Sequence, residues 1–405
     1  MPAKIMYTKC IKNTVGFYGG LSMITRIQIK NINAIDSCDI DFQKNKYKYR
    51  EEMIYNDKLV NPVAFYGTNG SGKSSLLEAV GRLIELLIYE PSKLRSFIPH
   101  QLNSEDHLES FFKNNEKNKE MFAKTLECIC SSVRIFFEIE QTEYEYFIET
   151  SFMNFINKEY LKHNQNYVFN RQADSYEYRK KEFETKRNLY PTLRKLASDK
   201  QDDVVITKCF EFLSSMAFVD AFKDTPTFKG LTEENYLDLI VEKSHDVNLL
   251  LKKYKEFPLY TISSEPTKDG GKNYIAEIEA GKRKVRMPFQ FISGGMMSQS
   301  LLLSILLSLP ENGILFVDEI EDALHPLTIL DFIKIAQQKN IQLIFSSHNT
   351  FILQHLRPDQ IFFANWKNGY STYKKLSDIY PNIREINNIE KMYLANLFDE
   401  DIKNG

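Results

Sequence analysis

Eight consecutive residues, Gly67, Thr68, Asn69, Gly70, Ser71, Gly72, Lys73 and Ser74, fit the spacing G-x-x-x-x-G-K-[ST], and Ser75 follows directly. The residue types suit a polyphosphate. The glycines let backbone N–H groups turn inward, Lys73 adds charge, and the Ser74 hydroxyl is placed to ligand a divalent cation. Far downstream, four apolar residues, Ile314 to Val317, run into Asp318 and Glu319. A buried strand ending in two acids can hold Mg²⁺ through water at Asp318 and polarise an attacking water with Glu319. Upstream of that pair, Ser293, Gly294 and Gly295 precede a long apolar run. Downstream, "IQLIFSSHNTFIL" reads as an apolar strand ending at Ser346, Ser347 and His348. Alone, Ser-Gly-Gly is a plain turn and a lone histidine is ordinarily structural.

A phosphate loop needs a strand before it and a helix after it. "PVAFYG" is a compact apolar run ending in Gly67, as a buried strand would be. Beyond the loop, Leu76, Leu77, Val80, Leu83, Ile84, Leu87 and Ile88 recur at helical spacing. "ITRIQIKNI" and "CDIDF" predict an opening hairpin, and residues 133–152 a second one with a glutamate-rich outer face. From about Tyr160 to Phe257 the chain turns charge-dense with helix-spaced apolar positions, which predicts a helical insertion interrupted at Pro191 and Pro226. A small hairpin near "NYIAEIEAGKRKVRMPF" then leads to the Ser-Gly-Gly turn. The expected division is an N-terminal extension (1–22), an N-lobe with the phosphate loop and a β subdomain (23–159), the helical insertion (160–257) and a C-lobe (258–405).

Lys plus Arg is 52 and Asp plus Glu is 54, a formal net charge of −2, so the balance does not announce a nucleic-acid binder. Lys180, Lys181, Lys186, Arg187, Arg194 and Lys195 could form a local basic surface for nucleic acid. Glu177, Glu182 and Glu184 dilute it, and a solvated helix is the preferred reading. No apolar run is long enough to predict a transmembrane helix. Five scattered cysteines (Cys10, Cys38, Cys128, Cys130, Cys209) predict reduced thiols in a cytoplasmic protein, with Cys128 and Cys130 as buried or half-buried thiols rather than metal ligands.

Taken in order, loop, Ser-Gly-Gly, acidic strand and histidine resemble the Walker A, signature, Walker B and switch-histidine series of ABC-type ATPases. The resemblance is to the SMC-like and OLD-like kind, and within it to stand-alone bacterial ATPases of abortive infection and antiphage defence. It spans about Met23 to Phe398 and includes "MITRIQIKNINAIDSCDIDF" and "LRPDQIFFANWKNGYSTYKKLSDI". It implies an α/β, ABC-type P-loop ATPase head with an antiparallel β subdomain and a helical insertion between Walker A and signature. It implies ATP and Mg²⁺ as ligands, with Ser74 and Asp318 on the metal and Glu319 and His348 as catalytic residues. Ser293, Gly294 and Gly295 would bind the nucleotide of a second copy, with Asp322 in the D-loop at the subunit interface. The segment Lys30–Ile35 would lie near the adenine. The implied role is a sensor or regulator in antiphage defence, acting on a separately encoded toxin or nuclease; the alternative is an SMC-like ATPase of DNA repair or tethering. Two features depart from the group. The signature is nearer the transporter form, and no Q-loop glutamine can be placed, Gln141 falling within the second hairpin.

Overall fold

The computed structural model describes residues 22–89, 130–151, 156–185, 190–221, 225–229, 231, 235–252, 260–280, 283–395 and 397–398. The expected extension lies outside them except for Ser22, as do Cys10, Cys128, Lys186 and Arg187. Strand β1 (Ser22–Ile32) buries Ile24, Ile27 and Ile29, with a bulge between Ile24 and Arg26 that accounts for the break in strict alternation. Strand β2 (Ile35–Asp41) returns antiparallel to it. A ribbon of β3 (Ile54–Tyr55) and β4 (Leu59–Val60) leads to β5 (Val63–Tyr66), buried along its length, and then to helix α1 (Lys73–Ile88).

The hairpin of β6 (Cys130–Ile139) and β7 (Thr142–Ser151) turns at Glu140–Gln141, both with positive φ (52° and 65°). The chain then continues as β8 (Ile156–His163), β9 (Asn166–Gln172), β10 (Ser175–Tyr178) and β11 (Lys181–Glu184). This corrects the helical insertion expected over 160–257, whose first quarter is strand. Leu161, Phe169, Tyr176 and Tyr178 point to one buried face at a period of two, and Asn164–Gln165 and Arg179–Lys180 make tight turns at positive φ. The result is one antiparallel sheet in the order β11-β10-β9-β8-β7-β6-β1-β2. The rest of the stretch holds helices α2 (Thr192–Asp199) and α3 (Val204–Ser214), strands β12 (Ala217–Asp220) and β13 (Thr225–Thr227), and helix α4 (Tyr236–Leu251). Glu159, fully buried, seats α2 on the sheet: its carboxylate accepts the Thr192 and Leu193 N–H groups (2.6 and 2.9 Å) and the Tyr146 hydroxyl (2.9 Å).

Strands β14 (Tyr260–Pro266), β15 (Lys272–Ala280) and β16 (Arg283–Pro288) form a small sheet ahead of helix α5 (Gly294–Ser308). Then come β17 (Ile314–Asp318), helices α6 (Ile320–Ala323) and α7 (Pro326–Gln338), β18 (Gln342–Ser346), β19 (Ile361–Lys367) and β20 (Tyr370–Lys375). The second large sheet has the order β13-β12-β17-β18-β5-β19-β20. Its five central strands are parallel and its two edge strands antiparallel.

Helix α1 lies between the two large sheets. Leu76, Leu83 and Ile84 share one core with Ile27, Ile29 and Ile135 of the antiparallel sheet and with Phe65, Phe316 and Ile344 of the parallel one. Each such side chain contributes about 1.5–3 kcal/mol by leaving water, so the loop before α1 is anchored from both sides. On the far face of the parallel sheet, α5 and α7 bury Leu302, Ile305, Ile329 and Phe332 against Leu315, Val317 and Phe345. Among the described residues, no helix is long and apolar enough to cross a membrane.

Candidate active site

In a parallel α/β sheet the carboxyl ends of the strands open onto one edge, and ligands bind there. Here β5 ends in the phosphate loop, β17 in Asp318 and Glu319, β18 in Ser346 just before Ser347 and His348, and β12 in Asp220. Parallel pairing of β12 with β17, β17 with β18 and β18 with β5 brings these ends side by side.

The loop is shaped for close backbone approach. A Cβ on Gly67 would stand 2.2 Å from the Ala364 carbonyl oxygen, and one on Gly72 would stand 2.0 Å from Ser371 Oγ; Gly72 also has φ +101°. Gly72 precedes α1 and offers no side chain to cap it, so the first amides of the helix face the loop without a side-chain acceptor. Thr68, Asn69 and Gly70 are exposed, whereas Ser71 and Lys73 are buried. Lys73 Nζ donates to the Gly67 and Thr68 carbonyls (2.9 and 3.2 Å). Burial lowers its pKa, against the opposing charges of Asp318, Glu319 and Glu321. Ser71 Oγ is buried with no hydrogen-bond partner among the described residues.

Asp318 is 3% exposed and accepts a short hydrogen bond from Ser346 Oγ and another from the Ser74 side chain. Burial raises its pKa, and the nearby charges of Asp220 and Glu78 add to this, while the two serine hydrogen bonds oppose it. Glu319 sits at φ 52°, with its N–H on Ser346 Oγ at 2.8 Å and its carbonyl accepting from the Asp322 N–H at 2.9 Å. Burial, then the charges of Asp318 and Asp322, push its carboxyl up to about 7, the range in which a carboxylate is an effective proton acceptor. The His348 N–H donates a short bond to the Glu321 carboxylate. Partial burial and the Lys73 charge hold the His348 imidazole below its usual pKa, which favours its neutral form.

The structure therefore brings Lys73, Ser74, Asp318, Glu319, Asp322 and His348 together. Ser293, Gly294 and Gly295 stand apart. Ser293 caps α5, accepting the Met296 N–H at 3.3 Å, and all three are exposed. A Cβ on Gly294 or Gly295 would meet nothing within 4 Å, and no hydrogen bond among the described residues joins the trio to the loop. Gln141 is an exposed turn residue.

Two residues at the site, Asp220 and Glu321, are not singled out by the sequence, and a third, Ser346, is read there only as the end of a strand. Asp220, 4% exposed, is in register with Asp318 across the parallel pair, and "MAFVDAF" carries the same apolar-run-then-acid signal as "ILFVDE". Ser346 bridges Asp318 and Glu319. Glu321 holds the His348 backbone.

The donor set fits a Mg²⁺–nucleotide. A hydroxyl and a carboxylate in contact, completed by phosphate oxygens, suffice for Mg²⁺ without an all-protein cage. Among the described residues, no cluster of three His, Cys, Asp or Glu side chains could hold a metal alone. The unpartnered Ser71 hydroxyl and the Cβ-free cradle at Gly67 and Gly72 suit a ligand pressed against the loop.

No curated protein sequence matches the chain. Among solved structures it is similar to the SmcHead bound to the C-winged helix domain of ScpA (13% identity, 87% of this chain and 96% of that one, TM-score 0.47). It is also similar to the SMC head domain from Thermotoga maritima (13% identity, 87% and 98%, TM-score 0.42) and to the recombination mediator protein RecF with ATP (11% identity, 88% and 100%, TM-score 0.40). Residues 63–354, well over half of the sequence, match the family model described as "AAA domain, putative AbiEii toxin, Type IV TA system", and the chain belongs to that family of AAA ATPases.

Proposed function

We propose that this chain binds and hydrolyses ATP with Mg²⁺ as one half of a homodimer, and that the dimer is a sensor or regulator in antiphage defence. The output would be a separately encoded toxin or nuclease, in keeping with a family description that names a toxin–antitoxin system. The observation that carries the ATPase reading is the convergence of Lys73, Ser74, Asp318, Glu319 and His348 at adjacent strand ends. Loop amides and Lys73 hold the phosphates; Ser74 and Asp318 hold the metal. Mg²⁺, when bound, neutralises charge on the phosphate oxygens. Glu319 accepts the proton of the attacking water, and the neutral His348 offers it a hydrogen bond. Ser293–Gly295, open and uncrowded, supply amides at the α5 N-terminus to the nucleotide of the second copy. Nucleotide state then acts as a switch, because the closed dimer and the open monomer differ in the contacts they make to the last phosphate.

The DNA-tethering alternative has less behind it. Arg194 donates to the Tyr89 carbonyl and lies over the Tyr190 ring, and Lys195 lies over Tyr176, so two of the candidate basic residues are engaged within the fold.

Glu319→Gln tests the chemistry. Turnover should fall by roughly 10²–10⁴-fold, with ATP binding retained and an ATP-dependent dimer persisting in light scattering. Unchanged turnover would remove Glu319 as the base. For the biological role, Lys73→Ala in cells carrying the gene with its neighbours should abolish phage protection; protection at the wild-type level would count against the defence reading.

A further inference from the structure

The chain has one tryptophan, Trp366, and it is 51% exposed near the tip of the β19–β20 hairpin. Single exposed apolar side chains are ordinary; what sets this one apart is where it stands. Its position is set by pairing. Trp366 is directly opposite Ser371, and Ala364 is opposite Tyr373, so the side chains of all four lie on one face of the hairpin. That face covers the phosphate loop. Tyr373 donates its hydroxyl to the Gly72 carbonyl at 2.6 Å, and Ser371 Oγ occupies the space a Cβ on Gly72 would need. The Ala364 carbonyl closes on Gly67 in the same way. β19 runs parallel to β5, with Phe363 paired to Tyr66, so Trp366 follows Ala364 outward as Thr68 and Asn69 follow Gly67.

The opening hairpin meets the same place. The Ser371 N–H donates to the Ala34 carbonyl in the β1–β2 turn at 2.7 Å, and Asn33 of that turn reaches Glu78 on α1 at 3.4 Å. Direction follows from the sheet order. Asp318 and His348 lie on the β17–β18 side of β5, so the reacting end of a polyphosphate lies there. That leaves the β19–β20 side, with the β1–β2 turn and Trp366, for its other end.

We infer that Trp366 is the base-stacking residue of this site, its indole taking one face of the purine of a bound adenine nucleotide. The inference rests on the nucleotide reading above and adds to it the residue that selects for a ring over bare phosphate. An aromatic platform of this kind is sequence-tolerant and is lost on truncation to alanine.

Because the tryptophan is unique, its own fluorescence reports on the contact. ADP, which has the base and lacks the last phosphate, should quench it, while tripolyphosphate, which has no base, should bind without quenching. In Trp366→Ala the calorimetric affinity for ADP should fall about tenfold, tripolyphosphate affinity should hold, and Trp366→Phe should recover most of the loss. Retained tripolyphosphate binding also shows that the alanine variant is folded. ADP binding that leaves the fluorescence unchanged and is equally tight in Trp366→Ala would overturn the inference while leaving the nucleotide site standing. A wild-type chain that binds neither ADP nor tripolyphosphate would overturn both.

Discussion

Ser346 is a side chain whose removal should separate orientation from binding. It is fully buried at the end of β18, and its hydroxyl does two things at once: it donates to Asp318 and accepts the Glu319 N–H at 2.8 Å. Glu319 stands in the left-handed region, at φ 52°, where a non-glycine residue needs its surroundings to hold it. Ser346→Ala leaves a buried carboxylate one hydrogen bond short, which costs roughly 1.5–3 kcal/mol for a bond to a charged group, and strands an amide, which costs roughly 1–3 kcal/mol. The two losses share one atom and will not add fully, so about 3 kcal/mol is the expected destabilisation. Freed of this tether, Glu319 should spend less time in reach of the attacking water. A displacement of this kind can cost about 10²-fold in kcat. The KM for ATP should barely move, since the loop and Lys73 are untouched. Steady-state ATPase assays and denaturant unfolding of the same preparation read both numbers. A Ser346→Ala chain with wild-type kcat and stability within about 0.5 kcal/mol would refute the claim that this hydroxyl positions the acidic pair.

The glycines divide into two kinds that substitution should tell apart. Gly67→Ala drives a Cβ to 2.2 Å from the Ala364 backbone, so it should cost about 1–3 kcal/mol as overpacking and abolish ATP binding in calorimetry. Gly294→Ala meets nothing within 4 Å and should leave stability unchanged or raise it by up to about 1 kcal/mol, yet abolish the ATP-dependent dimer in light scattering; a normal dimer would show that these glycines do not face a second copy. Asp203 gives the pH dependence. It caps α3 through the Val205 and Ile206 N–H groups (3.1 and 3.2 Å) and accepts from Tyr178 and Arg179 (2.5 and 2.7 Å). Burial pushes its carboxyl up, but these bonds outweigh burial and hold it below the ordinary value. The stability it supplies is therefore present above about pH 4 and is lost as pH falls through the lower folded pKa. Asn caps a helix as well as Asp, so Asp203→Asn should lower stability at pH 7 by about 1 kcal/mol through the weakened bonds to Tyr178 and Arg179 and flatten its decline in acid; an unchanged acid limb would disprove the assignment.

The candidate site's motifs stand out in the sequence more than several of the strands do, for a physical reason. Phosphate and metal chemistry restricts residue types at short spacing, so Gly67–Ser75 and Asp318–Glu319 stand out in one dimension. The strands β8 to β11 did not stand out. Their outer face is charged, and the tight turns at Asn164–Gln165 and Arg179–Lys180 reach positive φ without glycine. Charge density looked like a solvated helix because alternation is visible only once Leu161, Phe169, Tyr176 and Tyr178 are known to share a face. β12 was hidden differently. Four residues are too few to show a period, and helix α3 precedes them closely enough to absorb them into one helical pattern.

What would have found β12 is its last residue. In this sheet β17 ends in an acid at the edge where phosphate binds, and β12, its neighbour, does the same with Asp220. A buried carboxylate beside another is costly unless something positive comes between them, and the Asp220 charge is among the causes that raise the Asp318 pKa. An apolar run that stops on a single Asp, in a chain that already carries a phosphate loop and an acidic strand, is therefore better read as another strand of the same sheet than as a helix. Residue chemistry at the strand end then locates the element that its length could not.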